Sequence, residues 1–228
     1  MNFLIVVKKN IILSQHLNYT IKLMNMKNEN RELIIESLVQ AIPYIGGSLA
    51  TLYFGKKQEK RFKRLEYFYQ ELRDEIGSIG NTFPDISSHD PEELSAILEE
   101  LNEKVETEHL EVKRKYYKEY FKNTMRYPVK NNFDERRLFL DILSALTPLQ
   151  IELIIYLSMQ AGPVLGSSIS KPGVDQSVIA GSLAQLKTFG ITDNLLNSIV
   201  LGGSSSAINE EISLSRFGKR FHSFCLNS

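Results

Sequence analysis

The sequence predicts a mainly α protein in two parts. A helical N-terminal module, residues 27–127, combines a kinked apolar helix with a long helical hairpin; a smaller α+β domain follows over residues 134–228. Three observations lead there. Apolar residues recur at helical spacing through three stretches of the first half. Breakers and caps (Pro43, Asp90–Pro91, Pro128, Thr147–Pro148) mark where helices stop and start. Beyond residue 196 the pattern changes to short apolar runs around Gly and Ser, as strands flanking a loop would show.

The first helix is expected over Glu29–Ala41, where Leu33, Ile34, Leu38, Val39 and Ile42 mark one face. Pro43 lacks an amide proton and disfavours helical geometry at Ile42, so a kink is expected there. A second helix is expected over Glu59–Ile76, with Phe62, Leu65, Phe68 or Tyr69, Leu72 and Ile76 as its stripe. Asp90, Pro91, Glu92 and Glu93 form a helix start: a cap, a proline in the first turn, then acids at the positive end of the dipole. From it one long helix is expected to run from Pro91 toward Met125, striped by Leu94, Leu98, Leu101, Val105, Val112 and Tyr116. Its acids lead and its bases follow, which the dipole favours, and its basic end reads as a solvated face rather than a phosphate patch. The second and third helices are expected to form an antiparallel hairpin. Their stripes exceed what one hairpin covers, so a homodimer is expected with Phe62, Leu65, Leu72, Leu98 and Leu101 in or near a shared core.

Nineteen residues from Ser37 to Gly55 carry no charge and are followed by Lys56, Lys57, Lys60, Arg61, Lys63 and Arg64. The length approaches a membrane span, and the cations would form a membrane or phosphate patch on the cytoplasmic side. Ser37, Gln40, Tyr44, Ser48 and Thr51 give the segment a polar side, however, and Pro43 with Gly46–Gly47 breaks it. A kinked helix buried in a bundle or dimer interface is the favoured reading. A peripheral or integral membrane effector acting through 37–64 is the alternative. At the N-terminus only Phe3–Val7 is apolar before Lys8 and Lys9, which is too short and wrongly flanked for a secretory signal. Residues 1–25 fit the rest poorly, so translation is expected to start at Met24 or Met26; the alternative is a short packed element over 2–7.

Lys+Arg and Asp+Glu balance at 27 each over 228 residues, so any nucleic acid or anionic lipid would have to be met by a local patch. Residues 1–133 hold 20 bases and 19 acids, and residues 134–228 hold 7 and 8, so neither half is a basic domain. The single cysteine, Cys225, cannot pair within the chain, and a reducing, cytoplasmic location is expected.

In the second half, "DERRLFLDILSAL" is amphipathic with Asp134 as cap. "TPLQIELIIYLSMQAG" has Thr147 as cap, Pro148 at the first position and Gly162 at the end. "VDQSVIAGSLAQLKTFGI" turns Val178, Ile179, Leu183, Leu186 and Phe189 inward. "NSIVLGGSSSAINEEISLS" reads as two strands around a loop, and "RFGKRFHSFCL" as a closing helix. This order resembles the winged-helix domains of bacterial regulators over about residues 135–226. "ISLSRFGKRFHSF" resembles the passage from the second wing strand through a capping Ser and a Gly into a final helix. "LAQLKTFGI" resembles the end of a recognition helix. The N-terminal half resembles small helical bacterial proteins to which no activity attaches.

The resemblance implies a DNA-binding transcriptional regulator; the residues point instead to protein contacts. Gln176, Ser177, Gln185 and Lys187 would form the nucleic-acid or partner face, and only Lys187 could neutralise a phosphate. The loop "GGSSS" holds no Lys or Arg, and Glu210 and Glu211 follow it. Catalytic and metal signatures are missing from the sequence. His16, His89, His109 and His222 have no metal spacing with each other or with Cys225, and each reads as a surface or rim residue. "GPVLGSS" lacks the lysine of a phosphate loop. The expectation is a non-enzymatic interaction or regulatory protein without cofactor, homo-oligomeric through its N-terminal module.

Overall fold

The computed structural model describes residues 60–61, 63–72, 74–75, 88–196 and 210–227. The expected kinked helix of 29–55, the cations Lys56 and Lys57, Phe62 and the loop 202–206 lie outside the described residues. The described chain is mainly helical with one small three-stranded antiparallel sheet. It divides into two compact units between Leu138 and Phe139. Among the described residues no single helix is long and apolar enough to cross a membrane.

In the first unit, the helical residues between 60 and 75 form α1, followed by α2 (Pro91–Thr107) and α3 (Glu111–Arg126). Asp90 caps α2: its side chain accepts from the amides of Glu92 and Glu93 at 3.0 Å each. α1 runs antiparallel to α2, since Arg64 Nε donates to the Glu106 carbonyl at 2.7 Å and Tyr69 Oη to Asn102 Oδ1 at 2.6 Å. It lies alongside α3 with Glu71 near Lys118 and Glu75 near Lys122. Phe68, Leu72, Leu94, Ile97, Leu101 and Tyr120 are fully buried between them. The expected oligomer-core residues Leu65, Leu72, Leu98 and Leu101 are likewise covered within the single chain, so the uncovered stripes that motivated a dimer there are absent at these four positions.

The single long helix expected over 91–125 is broken at Glu108–His109–Leu110. Thr107 Oγ1 turns back onto the Glu103 carbonyl at 3.0 Å, and Glu108 adopts an extended conformation. The Glu108 carboxylate then accepts from the Leu110 amide at 2.8 Å and pairs with Lys113 at 3.0 Å. Burial alone would raise the Glu108 carboxyl, but these hydrogen bonds outweigh it and hold it below the usual range. The break resets the helical phase. Val112, expected in the stripe, is about half exposed, while Lys113, Lys118 and Lys122 are buried.

These lysines correct the solvated reading of the basic end. Lys118 reaches Glu75 and Glu71, and Lys122 reaches Glu75 at 3.1 Å and Glu119 at 2.6 Å. Burying an ammonium is costly unless it is paired and hydrogen bonded, and each of the three has a carboxylate. The Glu75 carboxyl is raised by its partial burial, but hydrogen bonds from Lys118 and Lys122 more than reverse this and hold it low.

His89 is also buried rather than at a rim. Its Nδ1 accepts from the Val129 amide at 3.1 Å, and the Asp90 amide donates to the Val129 carbonyl at 2.8 Å. The pair of bonds clasps the start of α2 to the segment after α3. α4 (Phe133–Ala145) begins one residue before Asp134, which therefore sits in its first turn and does not cap it.

The second unit holds the end of α4, then α5 (Pro148–Ser158), β1 (Val164–Leu165), a 3-10 turn (Gly166–Ser168), α6 (Gln176–Thr188), β2 (Thr192–Leu196), β3 (Glu210–Leu214) and α7 (Arg216–Phe221), which runs on into a π turn (His222–Leu226). Thr147 and Gln150 form a reciprocal capping box at α5. That helix ends at Ser158, well before the expected stop at Gly162. The sheet order is β1-β3-β2, with Val164 opposite Ile212 and Thr192 opposite Leu214. β1 was not expected, and β2 starts earlier than the reading over 197 onward. Ile179, Leu183 and Leu186 of α6, with Ile212 of β3, fill the core; Val178, expected inward, is half exposed.

Candidate partner-binding face

The outer side of α6 is the face expected to read a partner. Asp175 starts the helix by accepting from the Ser177 amide at 2.7 Å. Gly190, at φ 71°, ends the turn after it in a conformation that side chains disfavour. The Gly190 carbonyl accepts from Ser215 Oγ at 2.6 Å, and the Ile191 carbonyl from the Ser215 amide at 3.0 Å. Ser215 also caps α7, accepting from the Gly218 amide at 2.8 Å. A side chain on Gly218 would stand 2.0 Å from the Ile191 carbonyl oxygen. These contacts fix the end of α6 to the start of α7 through the residues beside the sheet.

All four residues expected on this face are engaged inside the unit. Gln176 Nε2 donates to the Ile169 carbonyl at 3.1 Å, and Ser177 Oγ bonds the Asp175 carboxylate. Gln150 Nε2, from α5, donates to Gln185 Oε1 at 2.6 Å. Lys187 Nζ pairs with Glu210 Oε2 at 3.2 Å, an oxygen that also accepts from Asn194 Nδ2 at 2.6 Å. Glu210 is 5% exposed, so this pair is partly withdrawn from water. What α6 shows to solvent is small and uncharged: Ser177, Val178, Gly181, Ala184 and Thr188, besides the two engaged side chains Gln185 and Lys187.

Of the basic patch expected after residue 55, Lys60, Arg61, Lys63 and Arg64 are described. Arg61 pairs with Glu106 at 3.2 Å and Arg64 bonds the same residue's carbonyl, while Lys60 and Lys63 are exposed. Sequence reasoning missed the double role of Gln150, although a Thr with Gln three positions on is a legible capping signature. It also cast Glu210 only as a repulsive charge. No group of three or more His, Cys, Asp or Glu among the described residues is arranged to hold a metal. Cys225 is buried as a free thiol.

No family model, curated protein or solved structure matches the chain.

Proposed function

We propose that this chain is a non-enzymatic interaction or regulatory protein whose second unit is a winged-helix-like module used for protein contacts. The helix–helix–strand–helix–strand–strand order, with β3 between β1 and β2, supports the winged-helix reading. So does the Ser215–Gly218 passage into a closing helix. The observation that carries the choice of protein over DNA is the pairing of Lys187 with Glu210. It engages the one cation that α6 offers to a phosphate.

The test is a gel shift of the full chain with random-sequence duplex DNA at physiological salt. No binding, or only weak binding, is expected; sub-micromolar, salt-sensitive binding would restore the transcriptional-regulator reading. Light scattering over a concentration series tests the homo-oligomer that this reading includes, and a monomer at all concentrations would remove it.

A further inference from the structure

The start of α1 and the α2–α3 break meet at one end of the first unit. Arg61 pairs with Glu106 at 3.2 Å, and Arg64 Nε donates to the Glu106 carbonyl at 2.7 Å. The residues gathered there, 60–67 and 106–115, hold seven basic and four acidic side chains, although the whole chain balances. Three of the four acids are paired: Glu106 with Arg61, Glu108 with Lys113 and Glu111 with Arg114. Glu66, exposed on α1, offsets one cation. Lys60 on α1 and Lys115 on α3 are exposed and have no carboxylate partner among the described residues; Lys115 lies over the Tyr116 ring at 4.6 Å. Lys63 is exposed but engaged.

Apolar side chains stand among these charges. Leu110, in the break, is 44% exposed, and Val112, in the first turn of α3, is 49% exposed. Tyr67 on α1 is 56% exposed. The break is what turns Val112 outward, because it buries Lys113 against Glu108 instead. By sequence, the chain that joins α1 at Lys60 holds the nineteen uncharged residues Ser37–Gly55 and then Lys56 and Lys57. An apolar run with a basic flank is therefore tethered to this same end.

We infer that the end of the first unit formed by the start of α1 and the α2–α3 break docks on an anionic membrane surface. Leu110 and Val112 enter the interface, and Lys60 and Lys115 face lipid phosphates. This surface lies in the first unit and does not depend on the contacts proposed for the second. A free phosphate would use the two cations but gain nothing from the apolar tip. A stable protein contact covers about 800 Å² on each side, which a tip of two apolar residues does not supply. A bilayer needs no such shape matching: it sums apolar burial with attraction of cations to anionic headgroups. Tyr67 suits the headgroup level, where aromatic side chains with a polar end gather.

The experiment floats the labelled full chain with vesicles of phosphatidylcholine alone and of phosphatidylcholine mixed with phosphatidylglycerol. The chain is expected to rise with the anionic vesicles and to stay below with the neutral ones. Inorganic phosphate, matched to the control in ionic strength, should not release it, which separates lipid from free phosphate. Lys60→Gln with Lys115→Gln should weaken the partition about fivefold for each cation. Leu110→Ser with Val112→Ser should weaken it about tenfold. Lys60→Arg with Lys115→Arg should retain it, and since all four positions are exposed, hydrogen exchange of α2 and α3 should stay unchanged in every variant. Absent flotation, equal flotation with neutral vesicles, release by phosphate, or flotation that survives both weakening variants would each overturn the assignment of this surface.

Discussion

The two units solve the placement of polar groups in opposite ways. The first buries Lys113, Lys118 and Lys122 among carboxylates contributed by α1, α3 and the break between α2 and α3. The second organises its closing helix around an aromatic cluster on Phe139 and specifies its helix starts by neighbouring residues: Thr147 with Gln150, Asp175 with Ser177, Ser215 with Gly218. The first unit depends on buried ion pairs, those of Lys118 and Lys122 with α1 being far apart in sequence, and the second more on local capping and close steric fit. Perturbations of charge should therefore fall on the first unit and perturbations of shape on the second.

Gly218→Ala offers the largest break. The added carbon has no room against a backbone oxygen, and the second unit should lose about 3 kcal/mol, at the upper end of overpacking costs. Gly181→Ala is the matched control, because open space surrounds that position in α6. It should stabilise by about 0.5–1 kcal/mol. Residue-resolved hydrogen exchange on the full chain reads both changes. A neutral Gly218→Ala would show that the close approach is not what holds α7.

Glu75→Gln tests the first unit. It removes the shared partner of Lys118 and Lys122, and exchange protection in α1 and α3 should fall by about 1–2 kcal/mol, discounted from a fully buried pair because the Glu75 side chain is 36% exposed. Acid should mimic it. The folded carboxyl titrates below its ordinary 4.5, so its stabilisation is complete above that pH and is lost as pH falls further. Unchanged α1 protection in the variant would remove the charge network from the account.

The smallest expected effect is at His89. Burial pushes its imidazole down and outweighs the opposing Met125 carbonyl, and the Arg136 charge adds a smaller push in the same direction as burial. Protonation would also put a proton on Nδ1, where the Val129 amide already donates. The folded value lies below the ordinary 6.5, so stability is complete above pH 6.5 and drains away as pH falls through the folded value. His89→Asn keeps an acceptor near Nδ1 without titrating. The clasp at Val129 should lose protection between neutral and mildly acid pH in the wild type and stay flat in the variant. Parallel profiles would end the role of His89.

The same contrast explains what was legible beforehand. Asp90, Thr147, Asp175 and Ser215 could be read as caps because their partners are two or three residues away. The break at Glu108–His109–Leu110 could not, because it contains no Pro or Gly and relies on Glu108 holding the buried Lys113. That hidden break put Val112 on the wrong face. β1 is two residues inside "GPVLGSS" and becomes a strand only because β3 pairs with it. At the candidate face the scarcity of charge on α6, with Lys187 alone, was visible, but its engagement was not. Gln150 meets Gln185 and Lys187 meets Glu210 only after α5, α6 and β3 assemble.

The strand order also imposes a timetable on synthesis. Among the described strands β3 is the central one and the last made, and β1 and β2 each pair with it alone. While the chain is being translated, Val164–Leu165 and Thr192–Leu196 must wait for Glu210–Leu214 before the ladders they make with it can close. The helices of the first unit are already complete by then. Until the ribosome has released residue 214, the apolar sides of α5 and α6 lack their sheet, and a nascent chain stalled in that interval is the form most exposed to chaperones and to misassociation.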